Sequence, residues 1–266
     1  MKGGPRHERL QTHFLDRIIA PNLSSGTKVA EGNYRVSMGG ASTRRDAGEE
    51  VVNKRRRQAR SLETRAKILK AATQEFAEVG FDGATTRSIA HRADLRHALV
   101  IYHFETKLGL WQAVMKDVVF WFNDAFERRL AGLDGVEDPV KLRLLQADFI
   151  RMAAEHPELH WLMSHEAGRS GERLDWLMGS LVGGTFTLFG ELIASTQKTG
   201  HYVRGNPYHL HYLFLGAAAR IFMLAAEAER FIGKSPFEPD FVEEHVRLCA
   251  ELFFRDPTNP TKRRGG

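Results

Sequence analysis

The chain has 266 residues, 42% of them hydrophobic and 27% charged, with 38 Lys/Arg against 33 Asp/Glu for a net charge of +5. That length accommodates one or two domains with a substantial core, and the single cysteine, Cys249, excludes an intramolecular disulfide framework. The start of the chain lacks a signal-peptide pattern and no stretch reads as apolar enough to cross a membrane, so a cytoplasmic protein is expected.

The charge is unevenly spread. Residues 1–60 hold thirteen Lys/Arg and six Asp/Glu, a net +7, which leaves −2 for residues 61–266. Residues 1–53 are mixed in polarity, punctuated by Gly-Gly and Ser-Ser-Gly and without a sustained period, so 1–59 is expected to be a basic, mostly disordered extension. Nothing before Met38 reads as structured, which makes Met38 a candidate start of the working protein; the intact mass of protein from its native source tests this. Lys54, Arg55, Arg56, Arg57 and Arg60 cluster just before the first helix. Two readings of the cluster stand side by side, a flexible arm lying along phosphates or in a minor groove and a solvated linker.

Ile68, Leu69, Ala72, Phe76 and Ala77 recur at helical spacing, with Ser61 able to cap and Gly80 following the last turn, which predicts a helix over about 62–79. After the turn Phe81-Asp82-Gly83, Thr85 can cap a second helix of about two turns whose buried face is Ile89, Ala90 and Ala93. Ala93-Asp94-Leu95 then reverses the chain into a third short helix, Arg96 to His103, held from beneath by Leu95, Val100 and Phe104. The pattern is helix, turn, helix.

The run of Thr85, Thr86, Ile89, Ala90, Ala93, Leu95, Tyr102, His103, Phe104, Lys107, Leu110 and Trp111 resembles the DNA-binding domain of the TetR family of transcriptional regulators, over Thr64 to Trp111. The resemblance implies an all-α chain, with a three-helix helix-turn-helix DNA-binding domain at 60–107 followed by a helical ligand-binding and dimerisation domain at 108–256 and a flexible basic tail at 257–266. It implies DNA contact by Thr86, Arg87, Arg96, His97, Ala98, Leu99, Ile101, Tyr102, His103 and Lys107. Arg96 and His97 lead the helix that would enter the major groove, where leading residues reach base edges. Arg87 could pair with a guanine edge or a phosphate. Thr86, Tyr102, His103 and Lys107 match phosphate-anchoring positions. Asp94 stands where the family usually has a glycine, and Ile101 where it often has a tyrosine. Leu99 and Ile101 are read either as contacts to thymine methyls or as packing against the first helix.

Beyond Trp111 helices are predicted near 108–130, 138–154, 158–168, 172–199, 207–231 and 239–255, separated by Gly and Pro breaks. Aromatic and sulfur side chains are abundant there, and Trp121, Phe122, Phe126, Trp161, Met163, Trp176, Phe186, Phe189 and Phe222 are the candidates to line a ligand cavity. At most about a third of such residues are expected to do so, since apolar residues at helical spacing are core by default. Leu213, Leu215, Gly216, Ala217, Ala218, Ala219, Ile221, Leu248, Leu252 and Phe253 are candidates for a dimer contact, although close packing inside one subunit would use the same residues.

His156, His160, His165 and Glu166 lie close in sequence, but Pro157 and the five-residue step between His160 and His165 argue against a shared metal face. Neither a phosphate loop nor a zinc-hydrolase motif is present, and Cys249 sits on an apolar helix, so no metal, cofactor or enzymatic activity is expected. The expected partners are double-stranded DNA carrying a near-palindromic operator, a second copy of the chain and a small-molecule effector that releases a repressor. Two alternatives stay open: a non-specific architectural DNA-binding protein, and a helical ligand-binding protein with a vestigial helix-turn-helix.

Overall fold

The computed structural model describes residues 43–258, with side chains from residue 53 onward; the Met38 start, the extension before residue 43 and the tail from 259 lie outside the described residues. Contacts divide the chain into two units, one ending at Val114 and one beginning at Met115. Among the described residues every regular element is helical, apart from an isolated antiparallel bridge between Tyr202 and Phe254.

The first unit contains α1 (Thr43–Gly83), α2 (Thr86–Arg92), α3 (His97–Phe104) and the first turns of α4 (Lys107–Ala131). Helix α1 starts far upstream of the expected residue 62, so the extension expected to be mostly disordered is helical over 43–59. Its Ala, Glu, Gln, Lys and Arg residues are strong helix formers. The packed helix downstream also removes the cost of nucleation. The apolar period gave no sign of this because residues 53–60 are all exposed. Gly80, at φ 70°, breaks the helical backbone near the end of α1, and a core of Ile68, Leu69, Ala72, Phe76, Ile89, Val100, Leu110 and Trp111 fills the unit.

Local signals place α2 and α3. The Thr85 hydroxyl accepts from the Ser88 amide at 2.9 Å and the Ser88 hydroxyl accepts from the Thr85 amide at 3.1 Å, a reciprocal cap. Helix α2 ends with Leu95 N–H on Ala90 O and Asp94 N–H on His91 O, closing over a left-handed Asp94 at φ 54°. Asp94 therefore holds the conformation that a glycine adopts without a Cβ penalty. Asp94→Gly is expected to raise stability by about 0.5–1 kcal/mol, read as a rise in melting temperature, and an unchanged or lower value would refute the turn argument. Arg92 donates to Glu75 and Glu78, each at 2.9 Å, and so ties α2 to α1.

The second unit continues α4 and adds α5 (Asp138–Glu155), α6 (Pro157–Ala167), α7 (Glu172–Leu177), a π-helical turn (Met178–Val182), α8 (Gly183–Lys198), α9 (Pro207–Met223), α10 (Ala225–Ile232) and α11 (Pro239–Phe253). Pro157, Pro207 and Pro239 each open a helix, where the missing N–H would have had no partner. Helix α5 lies at the centre, packed by α8, α9 and α11 through Leu145, Phe149, Ile193, Phe214 and Phe253.

Four expectations are corrected here. The single helix over 172–199 is interrupted by the π-helical turn, and the one over 207–231 bends by 80° at Leu224. Neither break carries a proline; Gly179-Ser180 and Gly183-Gly184 stand at the first. By length and composition the run Glu172–Lys198 is long and apolar enough to cross a membrane, where no such stretch was expected; Phe189, Leu192 and Ile193 on it are buried in the core. Finally, Ala218, Ala219 and Phe253 are buried within their own subunit and Leu215, Ala217 and Ile221 pack against the same core, so the small-residue stripe on α9 serves intrasubunit packing. Leu213, Gly216, Leu248 and Leu252 remain exposed.

Candidate nucleic-acid interface and apolar cavity

In the first unit, the reciprocal cap at Thr85 and the turn at Asp94 set α2 and α3 so that Arg87, Arg96, Ala98, Leu99, Ile101 and Tyr102 are exposed. Thr86, His97, His103 and Lys107 are half-buried. Leu99 is 37% and Ile101 40% exposed, so each keeps part of its side chain open to solvent. Tyr102, at 77%, is the most exposed large side chain of α3, with its ring edge-on to His103 at 5.2 Å.

Three of the expected contact residues are engaged within the unit. Thr86 Oγ1 lies 2.9 Å from His97 Nε2, which couples the first residues of α2 and α3. The Lys107 ammonium donates to the carbonyls of Phe81 and Ala84 at 2.8 and 3.0 Å and sits 4.4 Å over the Phe81 ring. Its main visible role is thus to hold the turn between α1 and α2, leaving only part of its donor capacity for a phosphate. His103 is held below the usual histidine range by burial and then by the charge of Arg65. The Arg65 guanidinium lies 5.1 Å over the ring of Phe104, which brings the α1 segment following the cationic cluster beside the end of α3. Lys54, Arg55, Arg56, Arg57 and Arg60 are all exposed on α1, so the cluster is helical where either a flexible arm or a solvated linker was expected.

The second unit contains a half-open cavity of about 400 Å³ bordered by α4, α5, α6, α8, α9 and the π-helical turn. Of the expected residues, Phe122, Met163, Phe186 and Phe189 line it. The other five lie elsewhere. Phe126 and Phe222 are core, Trp161 is 38% exposed, Trp121 packs edge-on to His156 at 4.6 Å, and Trp176 lies 5.9 Å from the Lys116 ammonium. Composition could not separate these groups, because all are aromatic or sulfur-bearing residues at helical spacing.

Sequence reasoning missed the polar part of the lining: Asn123, His160, Ser164, Thr185, His211 and Arg220. Asn123 donates to Leu181 O at 2.9 Å and accepts from the Thr185 hydroxyl at 2.7 Å, fastening α4 to the π-helical turn and α8. His211 is 4% exposed, stacked on Phe189 at 4.9 Å and edge-on to Phe186 at 4.8 Å. Burial pushes His160 and His211 each down to about 4, so both rings are neutral at pH 7.

Residues 68–114 match the family model described as bacterial regulatory proteins, tetR family. The chain is 26% identical over 185 residues to the HTH-type transcriptional regulator RutR of Escherichia coli K12, covering 67% of this chain and 83% of that protein. It is 31% identical over 126 residues to the HTH-type transcriptional repressor NicS of Pseudomonas putida, covering 45% of this chain and 58% of that one. The fold is that of HlyIIR, a hemolysin II transcriptional regulator, with TM-score 0.55 and 22% identity over 71% of this chain and 97% of that chain. It is likewise that of AibR, solved in complex with isovaleryl coenzyme A and operator DNA, with TM-score 0.57 and 18% identity over 72% and 98% of the two chains.

Proposed function

This chain carries the DNA-binding domain of the TetR family of bacterial transcriptional regulators, and we propose that it works as a homodimeric repressor that leaves a near-palindromic operator when a small molecule fills the cavity of its second unit. The observation that carries this reading is the exposure of Arg87, Arg96, Leu99, Ile101 and Tyr102 around a recognition helix whose other face is core. One helix of eight residues reads little sequence, whereas two related by a two-fold axis read an inverted repeat. Exposed Leu213, Leu248 and Leu252 on α9 and α11 are the proposed dimer face. Effector release is then a population shift. A ligand that favours the arrangement of reading heads with the wrong spacing lowers DNA affinity by its differential affinity for that arrangement.

Selection from a random duplex pool at near-physiological salt tests the reading. An enriched inverted repeat supports it. Bulk binding without enrichment would instead favour the architectural reading, for which the cationic arm on α1 is the relevant feature. Tyr102→Phe should weaken operator binding roughly tenfold by removing one phosphate-directed hydroxyl. Because no charge is lost, the salt dependence of binding should stay unchanged, and fluorescence anisotropy over a salt series measures both. Full affinity in the variant would remove Tyr102 from the interface.

A further inference from the structure

Helix α9 presents two rows of residues to the cavity of the second unit. His211, Leu215 and Ala219, four apart, form one row, and Tyr212, Gly216 and Arg220, each one position later, form the other. The first row is buried or half-buried and the second is exposed, so the first lies deeper and the second runs along the mouth. Elsewhere the depth of the cavity is apolar, walled by the buried Val119, Phe149, Leu159 and Phe189. No Asp or Glu lines it among the described residues. Burial keeps His160 and His211 neutral at pH 7, which leaves Arg220 as the fixed charge of the lining.

Arg220 has no ion pair and no side-chain hydrogen bond among the described residues, whereas Arg129, Arg151, Arg173 and Arg247 of the same unit each reach a carboxylate. Its neighbours one turn back on α9, Gly216 and Ala217, carry no charge. A place in the last turn of α9 lets it complement the helix dipole, but any side of that turn would serve for this, and the cavity edge is not required. The cavity is thus polarised, apolar at depth and cationic at its mouth. An apolar ligand body gains by leaving water for the interior. An anionic head held at the mouth meets the guanidinium while staying partly hydrated, which avoids the cost of burying a charge. The planar fork of arginine matches a carboxylate, and a single guanidinium balances a single negative charge, so a dianionic phosphate would keep a surplus.

We propose that the cavity takes an amphipathic monocarboxylate, its apolar body inside and its carboxylate on Arg220 at the mouth. The proposal rests on reading the cavity as the effector site and names the chemical class of that effector.

Calorimetric titration of the full chain, below micelle-forming concentrations, with one alkyl skeleton in four forms tests it: decanoate, 1-decanol, decylammonium and decyl phosphate. Decanoate is expected to bind about tenfold more tightly than decanol and more tightly still than decylammonium, with decyl phosphate weaker than decanoate. Added salt should weaken decanoate binding and leave decanol binding unchanged. Arg220→Gln should lower decanoate affinity about tenfold while decanol binding stays in place, and Arg220→Glu should reverse the order of decanoate and decylammonium. Because Arg220 is exposed, neither substitution disturbs the core. Equal binding of decanoate and decanol, tightest binding of decylammonium or decyl phosphate, or a decanoate preference that survives Arg220→Gln would each overturn the proposal while leaving the cavity as a ligand site. Binding of none of the four would overturn the cavity reading with it. The wild-type series decides the order of headgroups even where a variant folds poorly.

Discussion

The double substitution Leu213→Asp, Leu252→Asp is expected to yield monomers and to lower operator affinity by about 10²–10⁴-fold, the gain lost when two linked half-site contacts become independent. Leu213 is 53% and Leu252 60% exposed, on α9 and α11, which pack against each other. Neither lines the cavity, so the change leaves the proposed ligand site alone. Gly216, exposed one turn after Leu213 on α9, would place a Cβ with nothing within 4 Å. A mid-helix glycine costs up to about 1 kcal/mol relative to alanine, and Gly216 also borders the cavity, so it leaves space on that side as well. Four carboxylates brought to a two-fold interface would each be buried without a counter-charge. Light scattering reads the mass and anisotropy the affinity, with helical content by circular dichroism as the folding control. A folded variant that stays dimeric at wild-type affinity would place the interface elsewhere.

Acidification gives the second large effect. Burial lowers His160 and His211 from the ordinary 6.5 to about 4, so between those values the unfolded chain binds protons that the folded chain does not. Stability is therefore full above pH 6.5 and is lost as pH falls toward 4. The expected loss is about 2 kcal/mol per histidine by pH 5 and about 3 kcal/mol by pH 4. His245, lowered chiefly by burial against the backbone bonds it makes to Ala217 and Ala218, acts in the same direction. Glu243, lowered by its bond to Arg151, lies at the surface, where screening makes such a pair count for little. Urea midpoints between pH 7 and pH 5 measure the slope. The double variant His160→Leu, His211→Phe should lose most of it, and an unchanged slope would show that these rings are protonated in the folded state.

The first unit was legible residue by residue because its determinants are local. The cap at Thr85, the left-handed turn at Asp94 and the apolar spacing from Ile68 to Trp111 each act within a few residues, so reading them in order recovers α2, α3 and their exposed face. Lys107 was misjudged in emphasis, since its partners, the Phe81 and Ala84 carbonyls, lie more than twenty residues away. The helical arm over 43–59 was missed because helix propensity without an apolar stripe leaves no periodic signal.

The second unit was legible as helices but not as a site. Trp121, Phe122 and Phe126 sit on one helix within six residues, yet only Phe122 reaches the cavity, and nothing in the chain order distinguishes them. By itself the sequence determined the all-helical class, the helix-turn-helix and the residues it exposes, because caps, turns and short apolar periods are written in neighbouring residues. Only the tertiary structure decided which aromatics face an opening, that the Ala217–Ala219 stripe packs inside its own subunit, and that His160 and His211 both line one cavity. Those outcomes depend on how α5, α6, α8 and α9 close on one another, and packing across fifty or more residues is set by the sum of many weak contacts that no local pattern encodes.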